Sequence, residues 1–232
     1  MKRYTHILAN DWRMFWRNVI ALFSFSLLWK KKEWLIFAAL SLFVLLAFLA
    51  DIPVRYGASS IHSSVLDVLF DFGRWYGKGT ATAAIFLGCY LFGLVFGSAN
   101  VRRVGISVAY SYVVSGLLTT GLKSLFGRWR PYTNFGTTKF TPFVAGPNDF
   151  LSLPSGHVTV VFALSSTMAA MNKNIVWKIL WYTIAVITAC SRIYHDEHWL
   201  SDVLLAAIIG NILGVWASNH YDLGQKEEGI NV

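Results

Sequence analysis

The chain has 232 residues, of which 55% are hydrophobic and 14% charged, against about 25% charged residues in an average soluble domain. This composition excludes a disordered chain, a collagen-like chain and an ordinary soluble enzyme, and it indicates an integral membrane protein. Its 20 Lys and Arg residues outnumber its 12 Asp and Glu residues, for a net charge of +8. In a membrane protein such an excess reports orientation and contact with anionic lipids more often than nucleic-acid binding, so we expect no nucleic-acid partner.

Residues 1–33 form a segment distinct from the apolar runs that follow. Its apolar residues recur at the spacing of one helix face: Trp12, Phe15, Trp16, Val19, Ile20 and Phe23. Basic and polar residues lie off that face or after it: Arg13, Arg17, Asn18, Lys30, Lys31 and Lys32. This pattern predicts an amphipathic helix that lies flat at the membrane interface and contacts anionic lipids. The alternative is a soluble helix packed on the rest of the protein.

Six apolar runs follow, and a membrane-spanning helix needs about 20 mostly apolar residues. The runs lie at about 34–50, 80–97, 104–122, 157–171, 175–190 and 203–217. They predict an all-α fold, with a six-transmembrane-helix bundle over residues 34–218 and a cytoplasmic tail over residues 219–232. Cys89 and Cys190 lie in apolar runs, which predicts buried thiols rather than a disulfide or a metal site.

The distribution of basic residues predicts the orientation of this bundle. More Lys and Arg residues fall on the side of the N-terminus than on the other side, and basic residues concentrate in the cytoplasm. Six spans then place both termini in the cytoplasm. We expect a multi-pass protein of the inner, cytoplasmic membrane, with the long loop at 123–155 facing outward.

Three polar clusters interrupt the apolar pattern, and all three lie on the outward side. They are Lys123–Pro131 after the third run, Pro154–His157 before the fourth and Ser191–Asp202 before the sixth. Charged residues near membrane spans are energetically costly and usually functional. We therefore expect the clusters to form one site.

The residue types in these clusters suit a phosphate group. Lys123, Arg130 and Arg192, here called the cation clamp, supply the positive charge that a phosphate dianion needs. Ser155 and Gly156 precede a helix, where backbone N–H groups and the helix dipole favour an anion.

Two histidines supply the groups for proton transfer or nucleophilic attack. His157 and His198 can each act as acid, base or nucleophile near neutral pH. His198 and Asp202 are four residues apart, so on a helix the carboxylate could orient the ring. Each cluster alone also has a structural explanation: Lys123 and Arg130 as interfacial anchors, Ser155 as a helix cap, and His198 with Asp202 as a buried pair. A metal site at His195, His198 and Asp202 is a further alternative, which the neighbouring arginines disfavour.

The three clusters together resemble the signature of the type 2 phosphatidic acid phosphatase family. The matching positions are Lys123, Arg130 and Pro131, then Pro154 to His157, then Ser191, Arg192, His198 and Asp202. The resemblance implies a six-helix membrane bundle that removes phosphate from a lipid phosphate without a metal or other cofactor. It also implies that His198 attacks phosphorus, Asp202 orients it and His157 protonates the leaving oxygen. Lys123, Arg130, Ser155, Gly156 and Arg192 would hold the phosphoryl oxygens.

The resemblance leaves the substrate and the acceptor open. Expected substrates are undecaprenyl pyrophosphate, phosphatidylglycerol phosphate, phosphatidic acid or a lipid A phosphate. Aromatic residues near the clusters would anchor the protein at the interface or flank a lipid chain: Trp129, Tyr132, Tyr194 and Trp199. The alternatives are a lipid phosphotransferase with the same site, a non-enzymatic anion-binding or transport protein, and a soluble vanadate-dependent haloperoxidase, which the six apolar runs disfavour. The sequence does not predict the oligomeric state.

Overall fold

A computed structural model describes residues 2–24 and 30–227, and this part of the chain is helical without any β-strand. The helices are α1 (Lys2–Ser24), α2 (Lys31–Ala47), α3 (Asp51–Ser59), α4 (Ser64–Tyr76), α5 (Gly79–Val95), α6 (Ala99–Phe126), α7 (Gly156–Ala170), α8 (Ile175–Tyr194) and α9 (Leu200–Glu227). Short 3-10 turns occupy Phe48–Ala50, Pro131–Thr133 and Asn148–Phe150.

The helices confirm a membrane-type bundle. Within the described residues, four are long and apolar enough to cross a bilayer: Lys31–Ser59, α6, α8 and the Leu200–Asn219 part of α9. Helices α4 and α5 would make a fifth span, bent by 59°. Helix α7 has only 15 residues, so the count of six spans stays a prediction. Helices α3 and α4 fall between the first two predicted runs, where the sequence predicted no helix.

Helix α7 lies at the centre of the bundle, between α6, α8 and α9. Two glycines on α9 let this helix approach the backbone of α7 closely. A Cβ on Gly210 would lie 2.4 Å from the Thr159 carbonyl oxygen, and a Cβ on Gly214 would lie 2.3 Å from the Ala163 carbonyl oxygen. Small residues four positions apart are a common means of packing membrane helices. This packing brings the N-terminal ends of α7 and α9, and with them two of the polar clusters, side by side.

Helix α1 forms where the amphipathic pattern predicts a helix, but its apolar face is divided. Phe15 and Val19 pack against the core formed by α6 and α9, whereas Trp12 and Ile20 are more than 60% exposed. Its position at a membrane interface stays a prediction. Phe23 lies outside the residues whose side chains are described.

The two cysteines differ from expectation. Cys89 is half-buried, Cys190 is exposed, and both are free thiols. The prediction of burial was therefore wrong for Cys190 and only partly right for Cys89, because hydropathy does not show which apolar positions lie on the outer surface of the bundle, where large apolar residues are also exposed. Helix α9 continues through residue 219, where the tail was predicted to begin, as far as Glu227.

Candidate active site

The first cluster is placed by the end of α6. Gly127 ends the helix in the left-handed conformation, with φ of 59°. A Cβ at this position would lie 1.6 Å from the Thr141 carbonyl oxygen, so only glycine fits here. The chain then turns back, and Lys123 in the last turn of α6 donates from Nζ to the Leu151 carbonyl oxygen.

The second cluster forms the N-terminus of α7. Ser155 is the N-cap residue and is fully buried, and its backbone N–H donates to the Asp202 carbonyl oxygen at 3.3 Å. Its Oγ has no hydrogen-bond partner among the described residues, and the same holds for Thr119 Oγ1. Buried polar groups are rarely left unpaired, so these two hydroxyls indicate a place for a polar ligand. Gly156 follows as the first helical residue, and a Cβ there would lie 3.8 Å from Lys123 Cε.

The arginines of the cation clamp come together around one carboxylate. Arg130 is fixed by Asn148, to which Nε and Nη2 donate at 2.8 and 3.0 Å, and its Nη1 bonds Glu197. Arg192 Nη2 lies 3.4 Å from the same Glu197 oxygen. Arg192 is 3% exposed, yet its Nε and Nη1 have no hydrogen-bond partner in the described part of the chain. Two unpaired guanidinium donors in a buried site indicate space for an anion.

His198 lies in the turn between α8 and α9, with 2% exposure. Its Nδ1 is 3.7 Å from Asp202 Oδ2 and 3.4 Å from Ser152 Oγ, and this hydroxyl donates to Asp202 Oδ2 at 2.5 Å. Asp202 lies in the first turn of α9 and accepts the Trp199 backbone N–H at 3.0 Å. This bond resembles half of a capping box, in which a side chain in the first turn reaches back to the N-cap.

The surroundings of His198 keep its ring neutral. Burial, followed by the positive charges of Lys123, Arg130 and Arg192 and the effect of His157, holds the pKa of His198 well below its usual value of 6.5. At neutral pH the ring therefore keeps a free nitrogen lone pair, as a nucleophile requires.

His157 is the second residue of α7 and lines a groove of about 460 Å³ beside Lys123 and Gly156. Other walls of the groove come from glycines and apolar residues of α5, α6 and α7, including Gly79, Val113, Gly116, Leu117 and Val160. Gly77, in the turn between α4 and α5, lies against the ring: a Cβ there would be 2.8 Å from His157 Cδ2.

The three predicted clusters are thus brought together, but not every neighbouring residue joins them. His195 Nε2 lies 3.1 Å from Asp71, and its Nδ1 lies 2.8 Å from the Ser191 carbonyl oxygen. Among the described residues, no group of three His, Cys, Asp or Glu side chains has the arrangement of a metal site. The aromatic residues differ from expectation as well: Trp199 and Tyr194 are 2% and 6% exposed. They are core residues, and the prediction of interfacial anchoring was wrong for both.

Several site residues were missed by sequence reasoning. Arg128 is fully buried, and its Nη1 donates to Asp202 Oδ1 at 2.6 Å while its Nη2 donates to Asp51 Oδ2 at 2.7 Å. Ser152 and Glu197 also escaped notice. Asp51 did carry a signal, because it follows the first apolar run directly, and a carboxylate next to a membrane span is costly unless it is paired.

Comparisons with known proteins identify a family and a shared fold. A family model described as the PAP2 superfamily matches residues 104–223. The undecaprenyl-diphosphatase BcrC of Bacillus subtilis is 30% identical over 155 residues, which are 67% of this chain and 75% of that protein. A lipid A 1-phosphatase of Rhizobium johnstonii is 32% identical over 120 residues, which are 51% of this chain. The match spans 46% of that relative, less than half of its length.

A solved structure shares the fold. It is the first transmembrane PAP2 type phosphatidylglycerolphosphate phosphatase from Bacillus subtilis, with a TM-score of 0.58, 22% identity and coverage of 84% of this chain and 96% of that chain. The family model covers more than half of the chain and includes all three clusters. The chain therefore belongs to the PAP2 superfamily.

Proposed function

We propose that this protein is an integral membrane lipid phosphatase that hydrolyses a lipid phosphate or pyrophosphate through a phosphohistidine intermediate. The observation that carries the proposal is a set of buried donors that have no hydrogen-bond partner among the described residues, formed by Arg192 Nε and Nη1 and by Ser155 Oγ. These donors suit the oxygens of a phosphoryl group.

The proposed reaction has two steps. In the first, the negative charge of the bound phosphate favours a protonated His157. His198 Nε2 then forms a bond to phosphorus, the bond from phosphorus to the lipid oxygen breaks, and His157 gives that oxygen its proton. In the second, His157 takes a proton from water, the water oxygen bonds to phosphorus, and the bond to Nε2 breaks. Charge spreads over the phosphoryl oxygens in both transition states. The cation clamp and the N–H groups at the start of α7 would stabilise this charge, and we propose that no metal is required because these cations belong to the chain itself.

The substrate we propose is a lipid with a terminal phosphate or diphosphate. The relatives are named as undecaprenyl-diphosphatase and lipid A 1-phosphatase, and undecaprenyl pyrophosphate, lipid A, phosphatidylglycerol phosphate and phosphatidic acid form the test panel. The groove beside His157 supports a lipid, because Val113, Leu117 and Val160 place apolar surface next to Lys123. A hydrocarbon chain in this groove would leave the phosphate within the cation clamp.

The test is phosphate release by the purified protein in detergent, with EDTA present and with each lipid of the panel. We expect release by the wild type and its loss in His198→Ala and His157→Ala. His195→Ala is the matched control, since this histidine bonds Asp71 outside the clamp and its loss should leave the rate unchanged. A wild-type rate in His198→Ala, or no release from any lipid by folded protein, would contradict the proposal. Label that appears in a second lipid instead of free phosphate would indicate a phosphotransferase.

We also propose that the active site faces the outside of the inner membrane and that both termini are cytoplasmic. In this orientation, the exposed side chains of Arg13, Arg17 and Lys30 lie beside the anionic inner leaflet. The test is labelling of single cysteines with an impermeant maleimide, in a background of Cys89→Ser and Cys190→Ser. Ser60→Cys, in the turn after α3, should label in intact spheroplasts, and Asn172→Cys, in the turn after α7, should not. The reverse pattern would overturn this orientation.

A further inference from the structure

A buried ion network lies behind His198, and the proposed reaction steps do not use it. Its centre is Arg128, which is fully buried. The guanidinium makes five hydrogen bonds, as many as it has N–H donors. The acceptors are the Thr137 carbonyl oxygen (3.0 Å from Nε and 2.9 Å from Nη2), Asp51 Oδ2 (2.7 Å), Ser201 Oγ (2.7 Å) and Asp202 Oδ1 (2.6 Å). The guanidinium carbon also lies 4.2 Å from the centre of the Phe48 ring, so the group is held on every side.

Asp51 is the second member of the network and comes from a distant part of the chain. It lies at the start of α3, just after the 3-10 turn Phe48–Ala50, and is 1% exposed. Its Oδ1 accepts the Ser201 backbone N–H at 2.8 Å, and its Oδ2 accepts Ser201 Oγ at 2.8 Å as well as Arg128. Asp51 therefore binds the first turn of α9 directly and the end of α6 through Arg128.

Both oxygens of Asp202 are consequently fixed. Oδ1 accepts Arg128, while Oδ2 accepts Ser152 Oγ and the Trp199 N–H and faces His198 Nδ1 at 3.7 Å. The carboxylate cannot rotate away from His198 without breaking the bond to Arg128. Loss of this bond would allow the Asp202 carboxylate to rotate away from the imidazole of His198.

The charges of the network explain why it contains two carboxylates. An arginine paired with Asp202 alone would cancel the negative charge that stabilises a positive imidazole. Asp51 compensates Arg128 from the other side, since its Oδ2 is 2.7 Å from Nη2. One cation and two anions leave one negative charge, and Asp202 presents it to His198.

We propose that Arg128 is a positioning residue that holds Asp202 against His198, and that Asp51 is the counter-charge that leaves Asp202 negative towards the imidazole. The inference rests on the proposed function, because it assumes that His198 is the nucleophile. When Nε2 attacks phosphorus, the ring gains positive charge and its Nδ1–H turns to Asp202. A carboxylate that is both fixed and anionic stabilises this charge in the transition state.

The first experiment is a set of kinetic measurements on Arg128→Met and Arg128→Lys with the best lipid phosphate in detergent. Displacement of a catalytic group by 1 Å can cost about 100-fold in rate, so we expect kcat to fall about 100-fold in both variants. We expect KM to change little, because Arg128 makes its five bonds within the protein and none of them is to the cation clamp. Lysine keeps the charge, but its three donors on one nitrogen cannot replace the five bonds of the planar guanidinium.

A double variant separates positioning from folding. Arg128→Met alone leaves two buried carboxylates without a counter-charge, which destabilises a protein strongly. Arg128→Met with Asp51→Asn removes one charge of each sign, so we expect the thermal midpoint to recover towards that of the wild type while kcat stays low. If kcat recovers together with the midpoint, Arg128 has only a structural role and the proposal is overturned. A wild-type kcat in Arg128→Met or Arg128→Lys would overturn it as well.

Asp51→Asn provides an independent readout that does not depend on recovery of the fold. The variant keeps the bond between Arg128 and Asp202, but removes one negative charge from the network. The acidic limb of the kcat/KM profile should therefore move to lower pH, and kcat should fall by a smaller factor than in Arg128→Met. An unchanged pH profile would overturn the role of Asp51. The charged and titratable groups that face His198 from the packed elements are Lys123, His157, Arg130, Arg192 and Asp202, and all of them remain in this variant.

Arg55→Met is the matched control for a lost ion pair. Arg55 lies on α3 like Asp51, and its Nη2 binds Asp196 at 2.6 Å, in the same turn that carries His198. The pair makes no hydrogen bond to Asp202, so kcat should stay within about twofold of the wild type, as expected for a partly exposed pair. If the wild type releases no phosphate from any lipid, the proposed function itself fails. If the wild type is active and His198→Ala is not, normal turnover in the Arg128 variants refutes this inference alone.

Discussion

The turn between α4 and α5 limits the position of His157, and substitution of Gly77 tests this limit. A Cβ on Gly77 would lie 2.8 Å from His157 Cδ2, 2.9 Å from Thr188 Cγ2 and 3.0 Å from His157 Cβ. The φ of Gly77 is −67°, a value that alanine adopts freely. The cost of Gly77→Ala is therefore steric and comes from the methyl group alone.

The structure sets the size of the expected effect. Ordinary van der Waals contact begins at 3.4 Å, so an imidazole that starts 2.8 Å from the new methyl must move by about 0.6 Å. Thr188 prevents the methyl from moving the other way. A 1 Å displacement of a catalytic group can cost about 100-fold, so we expect kcat to fall about tenfold. Overpacking of this kind also costs about 1–3 kcal/mol of folding free energy, which would lower the thermal midpoint.

The assay is steady-state phosphate release in detergent, together with thermal unfolding of the same preparations. Gly88→Ala is the matched control, because no atom of the described neighbouring residues lies within 4 Å of a new Cβ at this α5 glycine, and we expect its kcat to equal that of the wild type. Adding Thr188→Ser to Gly77→Ala removes the methyl on the far side and should restore part of the activity. A wild-type kcat in Gly77→Ala would refute the reasoning, as would an equal loss in Gly88→Ala.

Three further predictions concern the clamp, the nucleophile and the fold. Glu197→Gln removes the carboxylate that occupies the two clamp arginines, so inorganic phosphate should inhibit about threefold to tenfold more strongly; equal or weaker inhibition would contradict this. Because the pKa of His198 is lowered from 6.5, its neutral form persists as the pH falls, and the acidic limb of kcat/KM should lie below pH 6.5. A limb at or above that value, measured on the free enzyme, would argue against a buried neutral nucleophile. Gly127→Ala should lower the thermal midpoint far more than Gly136→Ala, since both glycines have positive φ but only the first would place its Cβ against Thr141; equal losses would show that strain rather than contact decides.

Much of the candidate site could be predicted from the sequence, because its parts are local. Lys123 and Arg130 lie within one helix end and the turn that follows, and Ser155 and Gly156 begin a helix. His198 and Asp202 are four residues apart in sequence, and in the structure His198 Nδ1 lies 3.7 Å from Asp202 Oδ2. Residues that are close in sequence remain close in space in any tertiary arrangement. The resemblance to a phosphatase family could therefore be recognised from three short clusters.

The predicted spans were less complete, for reasons of length and packing. The hydropathy pattern predicted the apolar core of each long helix, but it missed α3 and α4. Helix α4 carries Asp67, Asp71 and Arg74 among its apolar residues, so no continuous apolar run marks it. The pattern also cannot say which apolar side chains face protein and which face outward, as Cys190 and Trp12 illustrate.

By itself, then, the sequence determined the class of this protein, its helical membrane character and the residue types of its three clusters. The tertiary structure alone decided which distant residues support them. Asp51 and Arg128 are 77 positions apart and meet at 2.7 Å, Glu197 joins the two clamp arginines, and Gly77 lies against His157. The contact of Asp51 arises where the break between α2 and α3 packs against the end of α6 and the start of α9. The contact of Gly77 arises where the turn between α4 and α5 packs against the start of α7. The hydropathy of the sequence shows that each helix is apolar. The packing of the helices decides which residues lie next to a buried charge.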